Sequence, residues 1–275
     1  MSVGIWQFFD GVPIGAVRET AAEVEELGFD ALWFGEYGGR DAFTQAALIL
    51  AATAKLTVAT GIARFDRRAP ITAEAATRAL GEAYPGRFVV GLGGHFPGQR
   101  PLTAIREYLA GMDQAELPGL PPPAPRPRRV LAALGPKALD LAAEQADGAH
   151  PYFVPPEHTA LARERLGKSA YLAVEQAVVL DGDVETARAV AREHVGTYVK
   201  LAPHHRSNLR RLGFTDDDLS GGGSDKLVDA LVAFRGEQQV ADRVRAHLDA
   251  GADQVCVQVL ARHQRSYRDL AAVLV

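Results

Sequence analysis

Cysteine is nearly absent from this 275-residue chain, which contains one thiol, Cys256. No intramolecular disulfide can therefore staple the fold, and a reducing, cytoplasmic setting is the natural expectation. Cys256 lies within the apolar run QVCVQV, where a buried strand thiol fits better than a nucleophile. Basic charge is not in excess either. A net charge of −4 argues against nucleic acid or an anionic membrane as partner, because both select clustered lysine and arginine. No segment reaches the ~18 uninterrupted apolar residues of a membrane span, and the amino terminus lacks a basic stretch leading into an apolar run. The Gly-x-Ser-x-Gly elbow of hydrolases and the Gly-Lys-Ser/Thr of phosphate-binding loops are missing. GLGGHFPG (91–98) places Phe96 where a dinucleotide loop needs its third glycine. His204, His205 and Arg206 have no carboxylate or cysteine at ligand spacing, so an anion contact by Arg206, Arg210 or Arg211 is a better reading than a metal.

The rest of the chain alternates. Apolar strand patterns at 3–8, 30–36, 56–62, 87–93, 128–134, 148–153, 170–180 and 253–260 are separated by helical patterns at about 13–27, 41–54, 72–83, 101–114, 136–146, 156–166, 183–200 and 238–250. Residues 17–36 and 244–259 share one grammar: an amphipathic helix ends at glycine, and an aspartate two residues later opens a strand. In the first, Val17, Ala21, Val24 and Leu27 share a helical face and Gly28 stands at the carboxyl cap. Strands that are apolar nearly throughout belong to parallel sheets covered on both faces. An open doubly wound sheet fits this pattern, but eight units in this length favour an α/β architecture closed as a (β/α)8 TIM barrel, read as one domain over 1–275. Two segments interrupt the rhythm. The proline-dense stretch 117–130 predicts a stiff connector, and an insertion at about 200–237 after the seventh strand predicts a contribution to a site or an interface.

Ligands of such barrels sit at the carboxyl ends of the strands. Glycine recurs there, at Gly61, Gly93, Gly94 and Gly135. At Gly135, Pro136 and Lys137 a strand turns into a helix, and free N–H groups with a nearby lysine suit an anion; a plain turn with a solvated lysine reads equally well. His95 and Glu36, at the ends of the fourth and second strands, are candidate acid–base groups. The third strand, LTVATGIARF, stops at Thr60, Gly61 and Ile62 with no turn signal.

Taken together, GFDALWFGE, LTVATGIA, GRFVVGLG, AALGPKALDLAAEQADGAHPYFVPPEHT and NLRRLGFTDDDLSGGGSDKLVDALVA, in that order, resemble the bacterial luciferase-like monooxygenase superfamily, and in particular its actinobacterial branch of F420-dependent oxidoreductases. The resemblance implies a TIM barrel, usually a homodimer, that binds coenzyme F420, or alternatively FMN, and a small-molecule substrate. It implies a bulge with a cis peptide at Gly61-Ile62 behind the cofactor ring, with Thr60, Gly93 and Gly94 beside it. It further gives Gly135, Pro136 and Lys137 to a phosphate, and Glu36 and His95 to proton handling during hydride transfer. The chain departs from the pattern in having Glu36-Tyr37-Gly38-Gly39 where many deazaflavin-dependent relatives carry a histidine, and a short loop after the fourth strand. A reduced-FMN monooxygenase and a cofactor-binding barrel with little catalysis are the alternatives.

Overall fold

The computed structural model describes residues 2–94, 96, 98–180, 182–261 and 266–275. Its strands are β1 (Val3–Gln7), β2 (Ala31–Phe34), β3 (Thr57–Thr60), β4 (Ala63–Arg64), β5 (Phe88–Gly93), β6 (Arg128–Leu131), β7 (Gly148–Ala149), β8 (Tyr171–Val178), β9 (Val232–Ala233) and β10 (Gln254–Val259). Every pairing among them is parallel, in the order β10-β1-β2-β3-β5-β6-β7-β8, and the sheet closes on itself where β8 pairs with β10 from Ala173↔Gln254 to Val178↔Val259. This is a closed eight-stranded barrel, the (β/α)8 architecture that the sequence alternation predicts. The short β4 continues β3 beyond the bulge and pairs with β5, while β9 adds to the end of β8.

The helices are α1 (Ile14–Glu26), α2 (Ala42–Leu50), α3 (Pro70–Ala83), α4 (Pro101–Asp113), α5 (Pro136–Gln145), α6 (Pro156–Leu166), α7 (Val184–Leu201), α8 (Pro203–Arg211), α9 (Asp225–Leu231), α10 (Glu237–Asp249) and α11 (Ser266–Leu274). Proline opens α3, α4, α5, α6 and α8, where its missing N–H costs nothing. Asp41 caps α2 by accepting from Thr44 N–H at 2.8 Å. Val17, Ala21 and Val24 of α1 are fully buried and Gly28 is left-handed at φ +87°, as the helix-to-strand grammar requires. The aspartates of that grammar also acquire a reason. Asp30, Asp147 and Asp253 each stand just before a strand and accept the N–H of a neighbouring strand's first residues, Val3 (3.2 Å), Arg129 (2.7 Å) and Leu172 (2.7 Å). Each carboxylate so satisfies a backbone donor at the amino-terminal rim that the ladder leaves open.

Apolar packing occurs in three places. Leu, Val and Phe side chains fill the layer between strands and helices. Trp6, Ala31, Trp33, Ala59, Val89, Val130, Ala173 and Cys256 fill the barrel interior. The insertion buries Leu209, Phe214, Leu219, Leu227 and Val228 against α7 and Phe153, so its apolar residues share a cluster with the barrel's upper rim. Sequence periodicity missed α11, and the sixth strand is shorter than its apolar run. Among the described residues, no helix is long and apolar enough to cross a membrane.

Close strand packing on β5 makes one position sharply size-limited. A Cβ built at Gly91 would lie 2.0 Å from the Thr60 carbonyl oxygen, whereas one at Gly15, within α1, meets nothing within 4 Å. Gly91→Ala should therefore cost about 3 kcal/mol through overpacking, and Gly15→Ala should be neutral or stabilise by up to about 1 kcal/mol. Thermal unfolding of the two variants checks this; equal melting temperatures would contradict it.

Candidate active site

Strand alternation sends one residue in two inward, and at the carboxyl-terminal rim several of the inward positions are glycine. A Cβ at Gly35 would lie 2.8 Å from Phe8 Cε1; at Gly61, 2.7 Å from Trp6 Nε1 and 2.8 Å from His150 Nε2; at Gly93, 2.8 Å from Ala132 Cβ and from Ile62 Cγ1. Neighbouring side chains, from the layer below at Gly61 and from the rim itself at Gly35 and Gly93, thus occupy the space that a larger residue would need. What remains at the rim is a floor of backbone. The Gly61-Ile62 peptide in this floor is cis, as the resemblance implies. Gly61 N–H donates to Phe34 O at 2.7 Å and Glu36 N–H to Ile62 O at 3.1 Å, so both ends of the bulge are tied to β2.

Beneath Gly61, His150 stacks on Trp33 with ring centroids 4.2 Å apart. The Trp6 indole N–H can only donate, so His150 Nε2 accepts from it at 3.2 Å and the imidazole proton sits on Nδ1, 2.9 Å from Ala173 O. Burial lowers its pKa to about 4, and the ring is a neutral support.

Glu36 and Thr60 are both engaged by other protein groups. The Glu36 carboxylate, 4% exposed, accepts from Ala42 N–H (3.2 Å), Arg64 N–H (2.7 Å) and both terminal nitrogens of Arg68, one of them at 3.0 Å. Four donors fill its four lone-pair directions, which leaves none for a substrate proton. It is a clamp on the bulge rather than an acid or base. Thr60 is likewise occupied: its hydroxyl donates to Gly91 O at 2.8 Å and accepts from Gly91 N–H at 2.9 Å, bridging β3 to β5. His95 lies outside the described residues. Gly94 is left-handed at φ +92° and borders the Arg64 side chain.

A second feature lies across the rim. Gly135 precedes α5, Pro136 is its first residue, and Lys137 is exposed in its first turn. The Arg211 guanidinium of α8 stands over this helix start, with one terminal nitrogen 3.2 Å from a Cβ built at Gly135, and Asn208 Oδ1 accepts from that nitrogen at 3.2 Å. His158 Nε2, 2.8 Å from the Leu134 carbonyl, fixes the preceding residue. His158 Nδ1 and Asn208 Nδ2 are buried with no partner among the described residues. Of the three insertion arginines that the sequence suggested for an anion, Arg211 reaches this turn, while Arg210 pairs with Asp216 at 2.6 Å.

At the same end of the barrel, Tyr152 follows β7 and its ring lies 5.0 Å from Trp6. Tyr198 of α7 donates to the Tyr152 hydroxyl at 2.8 Å, which donates to Gln258 Oε1 at 2.8 Å. Behind them Glu175 is 1% exposed, with Oε2 accepting from Phe153 N–H at 2.9 Å and Oε1 without a partner among the described residues. A cleft of about 710 Å³ opens elsewhere, at the amino-terminal ends of β5, β6 and β8, and its Arg126, Asp147 and Asp253 are engaged with other protein groups.

Burial raises the Glu175 pKa from 4.5 to about 8, against the opposing Phe153 N–H bond. The folded chain then holds more protons than the unfolded chain between these values, so this group's contribution to stability is full below pH 4.5 and is lost as pH rises to about 8. Glu175→Gln should remove that slope, and its melting temperature should gain on the wild type through this window; a constant difference would contradict the buried-acid assignment. Glu36→Ala strips Arg68 of its buried partner and should destabilise by about 3 kcal/mol, as read by denaturant unfolding.

Residues 1–254 match the family model described as luciferase-like monooxygenase. A Mycobacterium tuberculosis protein named as a coenzyme F420-dependent oxidoreductase is 25% identical, with 93% of both chains covered. The 5,10-methylenetetrahydromethanopterin reductase of Methanolobus tindarius is 28% identical over 74% of this chain and 73% of its own. Among solved structures, an F420-dependent secondary alcohol dehydrogenase in complex with an F420-acetone adduct superposes with a TM-score of 0.80 at 16% identity, covering 99% of this chain and 98% of that one. The family match over nearly the whole length, on a closed parallel barrel, establishes that this chain belongs to the luciferase-like monooxygenase family.

Proposed function

We propose that the protein is an oxidoreductase that transfers a hydride between coenzyme F420 and a small organic substrate. The observation that carries this reading is the side-chain-free floor at Gly35, Gly61 and Gly93 lying on the same rim as the cationic start of α5. A flat heteroaromatic ring needs the first, and a phosphate-bearing tail needs the second. The residues present fit such a group: the positions where a Cβ would clash shape the ring's seat, and the unpartnered Asn208 Nδ2, a donor beside Arg211, stands where an anion would complete its hydrogen bonding. The names of the Mycobacterium tuberculosis relative and of the secondary alcohol dehydrogenase favour F420 over FMN.

In this reading the deazaflavin supplies a ring carbon that accepts or gives a hydride. The protein supplies position. Gly61 and Ile62 back the ring, Gly93 and Gly94 bound its edge, and Glu36 with Arg68 holds the bulge in place. Gly135, Pro136, Lys137 and Arg211 bind the phosphate, with the insertion closing over it. The outward Ile14, Leu48 and Ile71 on α1, α2 and α3 support a homodimer through these helices, and the buried Cys256 suits a reducing cytoplasm.

Fluorescence titration of the purified protein with F420 and, separately, with FMN tests the proposal. Saturable binding of F420 is expected, and Lys137→Ala and Arg211→Ala should each weaken it by about 1–2 kcal/mol, roughly 5- to 30-fold. Preference for FMN would make the protein a monooxygenase of the same fold, and binding of neither would overturn the cofactor assignment.

A further inference from the structure

Hydride delivery to a carbonyl carbon leaves charge on its oxygen, and the reverse reaction begins with an alcohol that must lose its O–H proton. A site for either needs a proton-exchanging group at the substrate oxygen. Several titratable side chains near the rim are already committed. Glu36 has every lone pair filled. His150 has both ring nitrogens engaged, and His158 holds the Leu134 carbonyl. A line of hydroxyls remains.

Tyr198, Tyr152 and Gln258 form an unbroken chain with two links of 2.8 Å, and Tyr152 borders Trp6, the residue directly beneath Gly61. Tyr198 is held in place by stacking on Phe153, with centroids 4.8 Å apart and planes at 28°, and by the edge of His205 at 5.4 Å. Its hydroxyl proton is directed at Tyr152, so its own lone pairs face away from that bond and can accept from an alcohol. The terminal amide of Gln258 can donate as well as accept. Rotation of that amide reverses the chain, so that Tyr152 donates to Tyr198 and Tyr198 donates to a substrate oxygen.

We propose that Tyr198, oriented by Tyr152 and Gln258, binds the substrate oxygen and exchanges its proton, so that the substrates are small ketones or aldehydes and the corresponding alcohols; this rests on the hydride-transfer reading above. In the reducing direction the hydride pair forms the new C–H bond and the carbonyl π pair moves to oxygen. The Tyr198 O–H bond breaks to protonate that oxygen, and Tyr152, already donating to Tyr198 in the reversed chain, stabilises the resulting phenolate. Solvent then returns a proton to Tyr198, matching the one released when the two-electron donor, the reduced deazaflavin, is oxidised. Burial keeps Tyr198 neutral, with its pKa raised to about 12, still more acidic than an aliphatic alcohol. The titratable groups facing it are Tyr152, Glu175, Tyr37, His194 and His205.

The experiment uses the full chain saturated with oxidised F420 and labelled with 13C at the tyrosine ζ carbons. Acetone is the probe, being the smallest ketone and hard to exclude by size. Adding it should shift the Tyr198 and Tyr152 resonances together, and Tyr198→Phe should abolish the Tyr152 shift while leaving F420 affinity unchanged. With reduced F420, Tyr198→Phe should lower kcat for acetone reduction by about a hundredfold, and Tyr152→Phe by less. Unmoved tyrosine signals, or wild-type kcat in Tyr198→Phe, would overturn the proposal while F420 binding stands. Loss of F420 binding in the wild type would instead overturn the parent reading.

Discussion

The contact that the rest of the carboxyl-terminal rim depends on is between Gly61 and the Trp6-His150 pair beneath it. The indole N–H bonded to the imidazole at 3.2 Å occupies the space that any Cβ at position 61 would need. Because that pair is buried and stacked on Trp33, it cannot retreat. The third strand therefore has to present bare backbone at this point. Gly35 and Gly93 are size-limited in the same way on neighbouring strands, by Phe8 and by Ile62 with Ala132, in a fold whose barrel interior is otherwise filled by side chains.

A bare-backbone rim needs tethering from outside. The Glu36-Arg68 pair serves here, joining the end of β2 to the segment after the bulge, and Asp41 extends it by accepting from Arg68 at 2.9 Å while capping α2. Glu36 is thus both at the strand end, where catalytic groups sit in such barrels, and unavailable for catalysis. The insertion has the complementary task. Its apolar residues pack on α7 and Phe153, and this packing carries Arg211 over the start of α5.

Much of the architecture was legible because its causes are local. Glycine at helix ends, aspartate before strands and apolar runs covered on both faces are short-range patterns, and all eight barrel strands and the helices between them fall where those patterns lie. Family resemblance located the Gly61-Ile62 bulge and the Gly135 turn. The roles of individual side chains were less legible, because they depend on partners distant in sequence. Glu36 reads as a free acid until Arg68, 32 residues on, is seen against it. His150 reads as an ordinary strand-end residue until Trp6, 144 residues away, fixes its tautomer. Arg211 was one of three equivalent arginines until α8 was placed. No signal in the chain joined Tyr152 to Tyr198 or Gln258.

The most direct test of the account is a crystal structure of the protein with bound F420. The deazaflavin ring should lie on the Gly61-Ile62 peptide, its edge against Gly93 and its phosphate at Gly135, Lys137 and Arg211, with Tyr198 facing the substrate side. A ring seated away from the bulge, or a ligand bound in the cleft at the amino-terminal end of the barrel, would contradict the claim that the glycine floor is the cofactor site.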